Sequence, residues 1–133
     1  MTEWIEGIPH LDAEELHHWL ADPSKEGVYV IDVREPHEYA AGHIPGVPLI
    51  PMGHIPEVVE KLDKDAKYVF ICQGGVRSLQ VAKYLQHHGF SNVYNFKGGM
   101  SAWDKEVRFG DEHIVASDLT EMSQLRRKKE SEA

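Results

Sequence analysis

The clearest structural signal in this chain is the stretch Tyr68-Val69-Phe70-Ile71-Cys72-Gln73-Gly74-Gly75-Val76-Arg77. Its first four residues form a short apolar run, which is typical of a strand buried on both faces of a parallel sheet. Apolar residues then recur at helical spacing from Val81 to His88, and Gly89 is placed to end that helix. The stretch therefore predicts a strand, a tight turn and a helix, with Cys72 at the carboxyl end of the strand.

The same alternation of strand and helix signals continues on both sides of this stretch. Strands are predicted over residues 10–11, 28–33, 47–50, 68–71 and 93–96, the third of them interrupted by proline. Helices are predicted over residues 13–20, 36–41, 56–62, 76–88 and 100–106, the first opened by a capping-box pair, Asp12 and Glu15. Strands and helices that alternate at these lengths predict an α/β fold with a mostly parallel sheet covered by helices on both faces.

Composition restricts the classes of function. The 133 residues carry 14 Lys and Arg against 22 Asp and Glu, a net charge of −8, which argues against broad binding to nucleic acid or to anionic membranes. A single cysteine, Cys72, excludes an internal disulfide framework and a four-cysteine metal site. The acidic N-terminus has no apolar signal segment, so we expect a reducing, cytoplasmic setting.

Histidine is abundant, with 9 residues, but its spacing does not indicate a metal site. Histidines stand next to each other at residues 17–18 and 87–88, and adjacent side chains on a helix diverge by about 100°. No metal-binding spacing occurs elsewhere, so we expect no metal and no other cofactor.

The turn after the predicted central strand favours a reactive thiol at Cys72. Ligands bind at the carboxyl ends of strands in open α/β sheets. Gly74 and Gly75 allow backbone N–H groups to point inward, and the following helix adds the positive end of its dipole. These effects favour thiolate over thiol. The alternative is a lone cysteine that fills the core as a small apolar residue.

Arg77 stands in the first turn of the predicted helix, where a cation is unfavourable for the helix dipole. Its position is explained if it faces an anion. The candidates are the Cys72 thiolate, a bound sulfur oxyanion and a structural carboxylate. The alternative is an arginine that extends into water.

These residues resemble the active-site loop of single-domain rhodaneses, which are sulfurtransferases. The resemblance rests on the loop Cys72-Gln73-Gly74-Gly75-Val76-Arg77-Ser78, on the upstream segments Ile31-Asp32-Val33-Arg34-Glu35, Glu38-Tyr39 and Gly42-His43-Ile44-Pro45-Gly46, and on the downstream segments Phe96-Lys97-Gly98-Gly99-Met100 and Ala102-Trp103. It implies a rhodanese-like domain over residues 5–107, with a five-stranded, mostly parallel sheet between helices. Residues 108–133, with a basic run at 126–129, are then an extension that we expect to be partly helical or disordered.

The chemistry that the resemblance implies is persulfide transfer through Cys72. The thiolate would take the outer sulfur of thiosulfate or of another persulfide donor and pass it to a thiol or a cyanide-type nucleophile. The loop would bind the substrate and cradle the persulfide through Gln73, Gly74, Gly75, Val76 and Arg77. Four residues separate Cys72 from Arg77, whereas cysteine phosphatases have five, so we expect phosphatase activity to be weak or absent.

Three further residues are candidates for the surroundings of the site. Asp32 and Arg34 lie at or just past the end of the strand at 28–33 and should reach the same sheet edge as Cys72, with Arg34 expected to pair with Glu38 one helical turn away. His43 is a candidate general base, but a local hydrogen bond that fixes its turn is the favoured interpretation.

The sequence leaves donor and acceptor open. Many thiosulfate-using relatives carry a basic residue directly after the cysteine, where this chain has the neutral Gln73. The alternatives are a shuttle between protein persulfides and a rhodanese-fold binding module without turnover. Inactive modules of this family typically lack the cysteine, so Cys72 and Arg77 favour activity.

Overall fold

The computed structural model describes residues 2–22 and 28–111. Its strands are β1 (Glu3–Ile5), β2 (Ile8–Leu11), β3 (Val28–Asp32), β4 (Lys67–Ile71) and β5 (Val93–Phe96). Its α-helices are α1 (Ala13–Ala21), α2 (Pro36–Ala40), α3 (Ile55–Val58) and α4 (Val76–His87). Single turns of 3₁₀ helix occur at Met52–His54, Val59–Lys61 and Gly99–Ala102.

The strands form one sheet in the order β1-β2-β5-β4-β3. The pairs β2–β5, β5–β4 and β4–β3 are parallel, whereas β1 pairs with β2 in the antiparallel sense. This sheet confirms the predicted five-stranded, mostly parallel α/β architecture. Its carboxyl edge brings together the ends of β3, β4 and β5, which the site uses.

The core has two parts, one on each face of the sheet, because successive side chains of a strand point to opposite faces. Tyr68, Phe70 and Cys72 lie in the part that includes the buried side chains of α3 and α4. Val69 and Ile71 lie in the part that includes Leu16 of α1. Helices on both faces are therefore confirmed, and the side chain of Cys72 is on the α4 side.

Capping residues begin the helices as the sequence predicts. The Asp12 carboxylate accepts a hydrogen bond from the Glu15 N–H at 2.8 Å, and the Glu15 side chain accepts one from the Asp12 N–H at 3.2 Å. Pro36 occupies the first turn of α2. Gly89, with φ +90°, follows the end of α4.

The strand predictions were wrong at two places. Residues 47–50 form an isolated parallel bridge between Asp32 and Leu49, since proline at 48 and 51 has no N–H to donate to a ladder. The first strand is longer than predicted, and the short strand β1 precedes it. A turn at Glu6-Gly7, both with positive φ, joins the two strands as a hairpin.

Two helix predictions were also wrong. Residues 56–62 do not form one helix but the short α3 followed by a 3₁₀ turn, although Val58, Val59 and Leu62 of this segment are buried in the core. Residues 100–106 do not form a helix: the 3₁₀ turn ends at Ala102, and Trp103 is extended. The Trp103 ring packs edge-on against Phe96, with centroids 5.9 Å apart, so packing on the sheet outweighs continuation of the helix.

The predicted extension begins where the structure still describes the chain. Residues 108–110 lie against the segment after α2, where the N–H of His43 donates to the Arg108 carbonyl at 2.9 Å and the N–H of Gly110 donates to the Ala40 carbonyl at 2.8 Å. The basic run at 126–129 lies outside the described residues, and the boundary between domain and extension stays a prediction.

Candidate active site

Cys72 is the first residue after β4 and lies at the carboxyl edge of the sheet. It is 1% exposed. The chain then turns through Gln73, Gly74 and Gly75, and α4 starts at Val76. We call residues 72–77 the Cys72 loop.

Two hydrogen-bond donors point at the Cys72 sulfur. The backbone N–H of Gly75 lies 3.0 Å from Sγ, and the Ser78 hydroxyl lies 3.2 Å from it. Ser78 is fully buried in the first turn of α4. Donors fixed toward a sulfur stabilise negative charge on it more than they stabilise a neutral thiol. The geometry therefore suits Cys72 as a thiolate nucleophile.

A second segment packs directly against the back of the Cys72 loop. The N–H of Met100 donates to the Cys72 carbonyl at 2.9 Å, and the N–H of Ser101 donates to the Gln73 carbonyl at 3.0 Å. Gly99 makes this approach possible, because a Cβ atom there would lie 2.3 Å from the Cys72 carbonyl oxygen. The Gly98-Gly99 pair is thus a close-packing element of the site and enters a single 3₁₀ turn.

Arg77 contacts a structural carboxylate, one of the anions that the sequence leaves open. Its Nη1 and Nη2 donate to the two carboxylate oxygens of Glu38, each at 2.8 Å. The pair joins α4 to α2. Hydrogen bonding by Arg77 is the main cause that lowers the pKa of Glu38 to about 2, and the same hydrogen bond is the main cause that raises the pKa of Arg77.

We expect Glu38→Gln to destabilise the protein in a pH-dependent way. A carboxyl whose pKa is lowered by folding stabilises the native state above its unfolded value near 4.5, and this stabilisation is lost as the pH falls toward 2. Because both side chains are partly exposed, the loss at neutral pH should be of the order of 1 kcal/mol. Urea unfolding of both proteins at neutral pH and near pH 3 measures it. A difference that does not shrink in acid would contradict this role for the pair.

Arg34 does not pair with Glu38, and that prediction was wrong. Its guanidinium instead contacts the Asp32 carboxylate, with Nε at 3.0 Å from Oδ1 and Nη2 at 2.8 Å from Oδ2. Nη2 also donates to the Gly42 carbonyl at 2.8 Å, and Nη1 donates to Gln73 Oε1 at 3.1 Å. Glu38 is on the first turn of α2 and forms its ion pair with Arg77. Asp32 lies two residues from Arg34 and is buried beside it.

Gln73 is held from both sides at the loop. Its Oε1 accepts from Arg34, and its Nε2 donates to the Ser101 hydroxyl at 3.2 Å. The structure therefore brings Asp32 and Arg34 into contact with the Cys72 loop through the Gln73 side chain. Gly74 and Val76 complete the loop, and the Val76 side chain is exposed at the start of α4.

His43 lies in a local packing arrangement. The ring is fully buried and stacks on Tyr39 with centroids 3.8 Å apart. Its Nδ1–H donates to the Tyr39 carbonyl at 3.0 Å. This hydrogen bond joins the segment after α2 to the helix, in agreement with the favoured interpretation of His43.

Two polar residues that contact the site carry no role in the sequence-based prediction. Ser78 reaches the sulfur because it is six residues after Cys72, one turn into α4. Asn95 donates to the Gly75 carbonyl from β5. The available signal was a polar residue inside an apolar strand or on the buried side of a helix, which requires an explanation when it is buried.

Neither a metal cluster nor a membrane span is found in the part of the chain that the structure describes. Within residues 2–22 and 28–111, no group of three His, Cys, Asp or Glu residues is placed to hold a metal ion. No helix within those ranges is long and apolar enough to cross a bilayer.

Comparison with known proteins identifies the family. The rhodanese-like domain family matches residues 12–106. The putative sulfurtransferase YtwF of Bacillus subtilis is 54% identical over 83 residues, which are 62% of this chain and 80% of that protein. The thiosulfate sulfurtransferase GlpE of Pseudomonas entomophila is 40% identical over 78 residues, which are 59% of this chain and 72% of that protein.

A solved structure extends the agreement from sequence to fold. The rhodanese-like domain protein from Staphylococcus aureus superposes with a TM-score of 0.66 and is 36% identical, and the match covers 77% of this chain and 98% of that one. The family match over residues 12–106 includes the Cys72 loop and the turn packed behind it. On this sequence match and this fold, the chain belongs to the rhodanese-like domain family.

Proposed function

We propose that the protein is a sulfurtransferase that carries sulfane sulfur as a persulfide on Cys72. The observation that carries this proposal is the pair of donors on Sγ, from the Gly75 N–H at 3.0 Å and the Ser78 hydroxyl at 3.2 Å. Both favour a thiolate, which is the nucleophile in sulfur transfer. The relatives named as sulfurtransferases support the same reaction class.

The reaction proceeds in two displacements. With thiosulfate as donor, the Cys72 thiolate attacks the outer sulfur, the S–S bond of thiosulfate breaks, and sulfite leaves with the bonding electrons to give a Cys72 persulfide anion. An acceptor thiolate or cyanide then attacks the outer persulfide sulfur, and Cys72 leaves as the thiolate. Each step conserves charge and needs no oxidant, and the fixed donors of the loop would stabilise the anionic intermediate.

The charges near the loop favour a persulfide donor over free thiosulfate. Arg34 and Arg77, the arginines that contact the loop or belong to it in the described ranges, are each paired with a carboxylate through two nitrogens. Their charges are largely offset, so a dianion gains little from them. A persulfide group carries a single negative charge and therefore needs less positive charge in the site, whether its carrier is a small thiol or a protein.

Intact mass spectrometry tests the proposal directly. The protein is incubated with thiosulfate or with glutathione persulfide and weighed, and cyanide or a thiol is then added. We expect a gain of one sulfur atom that the acceptor removes. Cys72→Ser is the control and should gain nothing. If neither donor gives an adduct, the proposed turnover is wrong and a non-turnover binding module is favoured.

Gln73→Lys is expected to lower the KM for thiosulfate several-fold. A lysine at this position puts an unpaired cation beside the nucleophile, where it attracts a dianion more strongly than a monoanion. The control is Gln73→Met, which removes the hydrogen bonds of Gln73 without adding charge. Steady-state kinetics at low and high salt measures the effect, which should shrink with added salt. An equal gain with Gln73→Met would show that charge is not the cause.

We also propose a cytoplasmic location, because a lone thiolate nucleophile is kept reduced there. Cell fractionation with detection of the full chain tests this proposal.

A further inference from the structure

A buried polar pair lies beneath the Cys72 loop. His10 of β2 and Asn95 of β5 occupy paired positions on adjacent parallel strands, and they are 4% and 1% exposed. A polar side chain that is buried away from water destabilises the folded state unless it forms hydrogen bonds inside the protein. Apolar residues would fill this position in the sheet without that loss, so the presence of the carboxamide requires a reason.

The contacts of Asn95 point to the loop. Its Nδ2 donates to the Gly75 carbonyl at 3.0 Å, and the same nitrogen lies 3.5 Å from Nδ1 of His10. Its Oδ1 has no hydrogen-bond partner among the described residues, and neither has Nε2 of His10. A carbonyl can only accept, so the contact with Gly75 fixes which way the carboxamide faces. The one short bond that the Asn95 side chain makes within the described ranges is therefore to the loop.

Gly75 connects this bond to the sulfur. Its carbonyl accepts from Asn95, and its own N–H donates to Cys72 Sγ at 3.0 Å. Its φ is +91°, and a Cβ atom there would lie 3.1 Å from the Gly98 nitrogen. The direction of the Gly75 N–H relative to the Gly75 carbonyl depends on rotation about the φ and ψ bonds of this residue. A hydrogen bond at the carbonyl of the same residue restrains that rotation.

We propose that Asn95 is a positioning residue for sulfur transfer, which holds the Gly75 carbonyl so that the Gly75 N–H stays directed at the Cys72 sulfur. Asn95 does not touch the sulfur and acts through Gly75. The role deepens the proposed function and rests on it. The ionic state and reactivity of Cys72 can be measured without any sulfur donor, so the role of Asn95 is testable apart from turnover.

The test compares Asn95→Ala with Val93→Ala in the full chain. Val93 is a matched control because it is in the same strand, on the same face and 2% exposed, while its partner in β4 is Tyr68 at the opposite end from the loop. Three quantities are measured: the thermal midpoint, the ultraviolet absorbance of the thiolate at neutral pH relative to Cys72→Ser in the same background, and the rate of alkylation of Cys72 by iodoacetamide.

We expect Asn95→Ala to lower the thiolate absorbance and to slow alkylation and persulfide formation about tenfold, less than the roughly 10²–10³-fold for losing a preorganised donor outright, because the Gly75 N–H remains in the variant. In steady state the loss should appear in kcat rather than in the KM for the donor. Val93→Ala should lose stability and keep the wild-type thiolate signal. If Asn95→Ala does not fold, Asn95→Ser carries the same expectations, because its hydroxyl is too short to reach the Gly75 carbonyl.

The proposal is overturned if a folded Asn95 variant keeps the wild-type thiolate absorbance and alkylation rate. It is also overturned if Val93→Ala, at an equal loss of stability, loses reactivity in equal measure. Failure of the proposed function looks different. In that case the wild-type protein forms no persulfide with any donor, while the thiolate absorbance and alkylation still separate Asn95→Ala from Val93→Ala.

Discussion

Arg34→Met is expected to cost about 3–5 kcal/mol of the free energy of unfolding, the range for removing one member of a buried ion pair. Arg34 and Asp32 are 2% and 1% exposed, and the substitution leaves the Asp32 carboxylate buried without its cation. A domain of this size has roughly 5–15 kcal/mol in total, so this single change would remove much of it. Urea unfolding at neutral pH measures the loss.

The control for Arg34 is the double variant Asp32→Asn/Arg34→Met, which removes both charges. It should recover part of the stability, because an amide is less costly to bury than an unpaired carboxylate. A single-variant loss below about 1 kcal/mol would show that water or another group compensates for the carboxylate. Sulfur transfer should fall in both variants as well, since Gln73 loses its hydrogen bond to Arg34 in each of them.

Gly99→Ala is expected to disrupt both the site and the stability of the fold. The new Cβ would lie 2.3 Å from the Cys72 carbonyl oxygen and 2.7 Å from the Gln73 carbonyl carbon, and these are backbone atoms. The residue also has φ +58°, which disfavours alanine. Together, conformational strain and overpacking should cost roughly 2–5 kcal/mol and displace the loop.

Gly7→Ala separates these two causes. Gly7 has φ +79°, and a Cβ atom there would have nothing within 4 Å, so this variant reports the conformational cost alone. We expect a loss of about 1–2 kcal/mol with sulfur transfer retained. Thermal unfolding and a sulfur-transfer assay of both variants give the comparison. Equal losses of stability and activity in the two variants would mean that contact with the Cys72 loop is unimportant.

Local sequence patterns were sufficient for the central part of the fold. The capping pair at Asp12 and Glu15 and the glycine after α4 mark helix ends through interactions within a few residues, and the apolar run before Cys72 marks β4 because both faces of that strand are buried. The hairpin of β1 and β2 was missed because its first strand is three residues long and largely exposed, so it carries almost no apolar pattern. The prediction of a helix at 100–106 was wrong because Trp103 packs on Phe96 of β5.

The site was harder to predict than the fold, because its partners are distant in sequence. Cys72 and the course of its loop follow from the strand, the glycines and the helix start. The carboxylate that Arg77 contacts is 39 residues away, and Asn95 is 20 residues from the carbonyl that it contacts. The error at Arg34 has a different origin: spacing favours Glu38, but Glu38 is bound by Arg77 of α4, and Arg34 contacts Asp32 only two residues away.

The turn packed behind the loop has an electrostatic consequence. The carbonyl oxygens of Cys72, Gln73 and Gly75 accept hydrogen bonds from Met100, Ser101 and Asn95, so the negative ends of these peptide dipoles are neutralised on the side away from the sulfur. The groups that the described residues direct at the sulfur are donors, the Gly75 N–H and the Ser78 hydroxyl, inside a chain of net charge −8. At long range that net charge repels anions, so added salt should speed the approach of an anionic donor to Cys72.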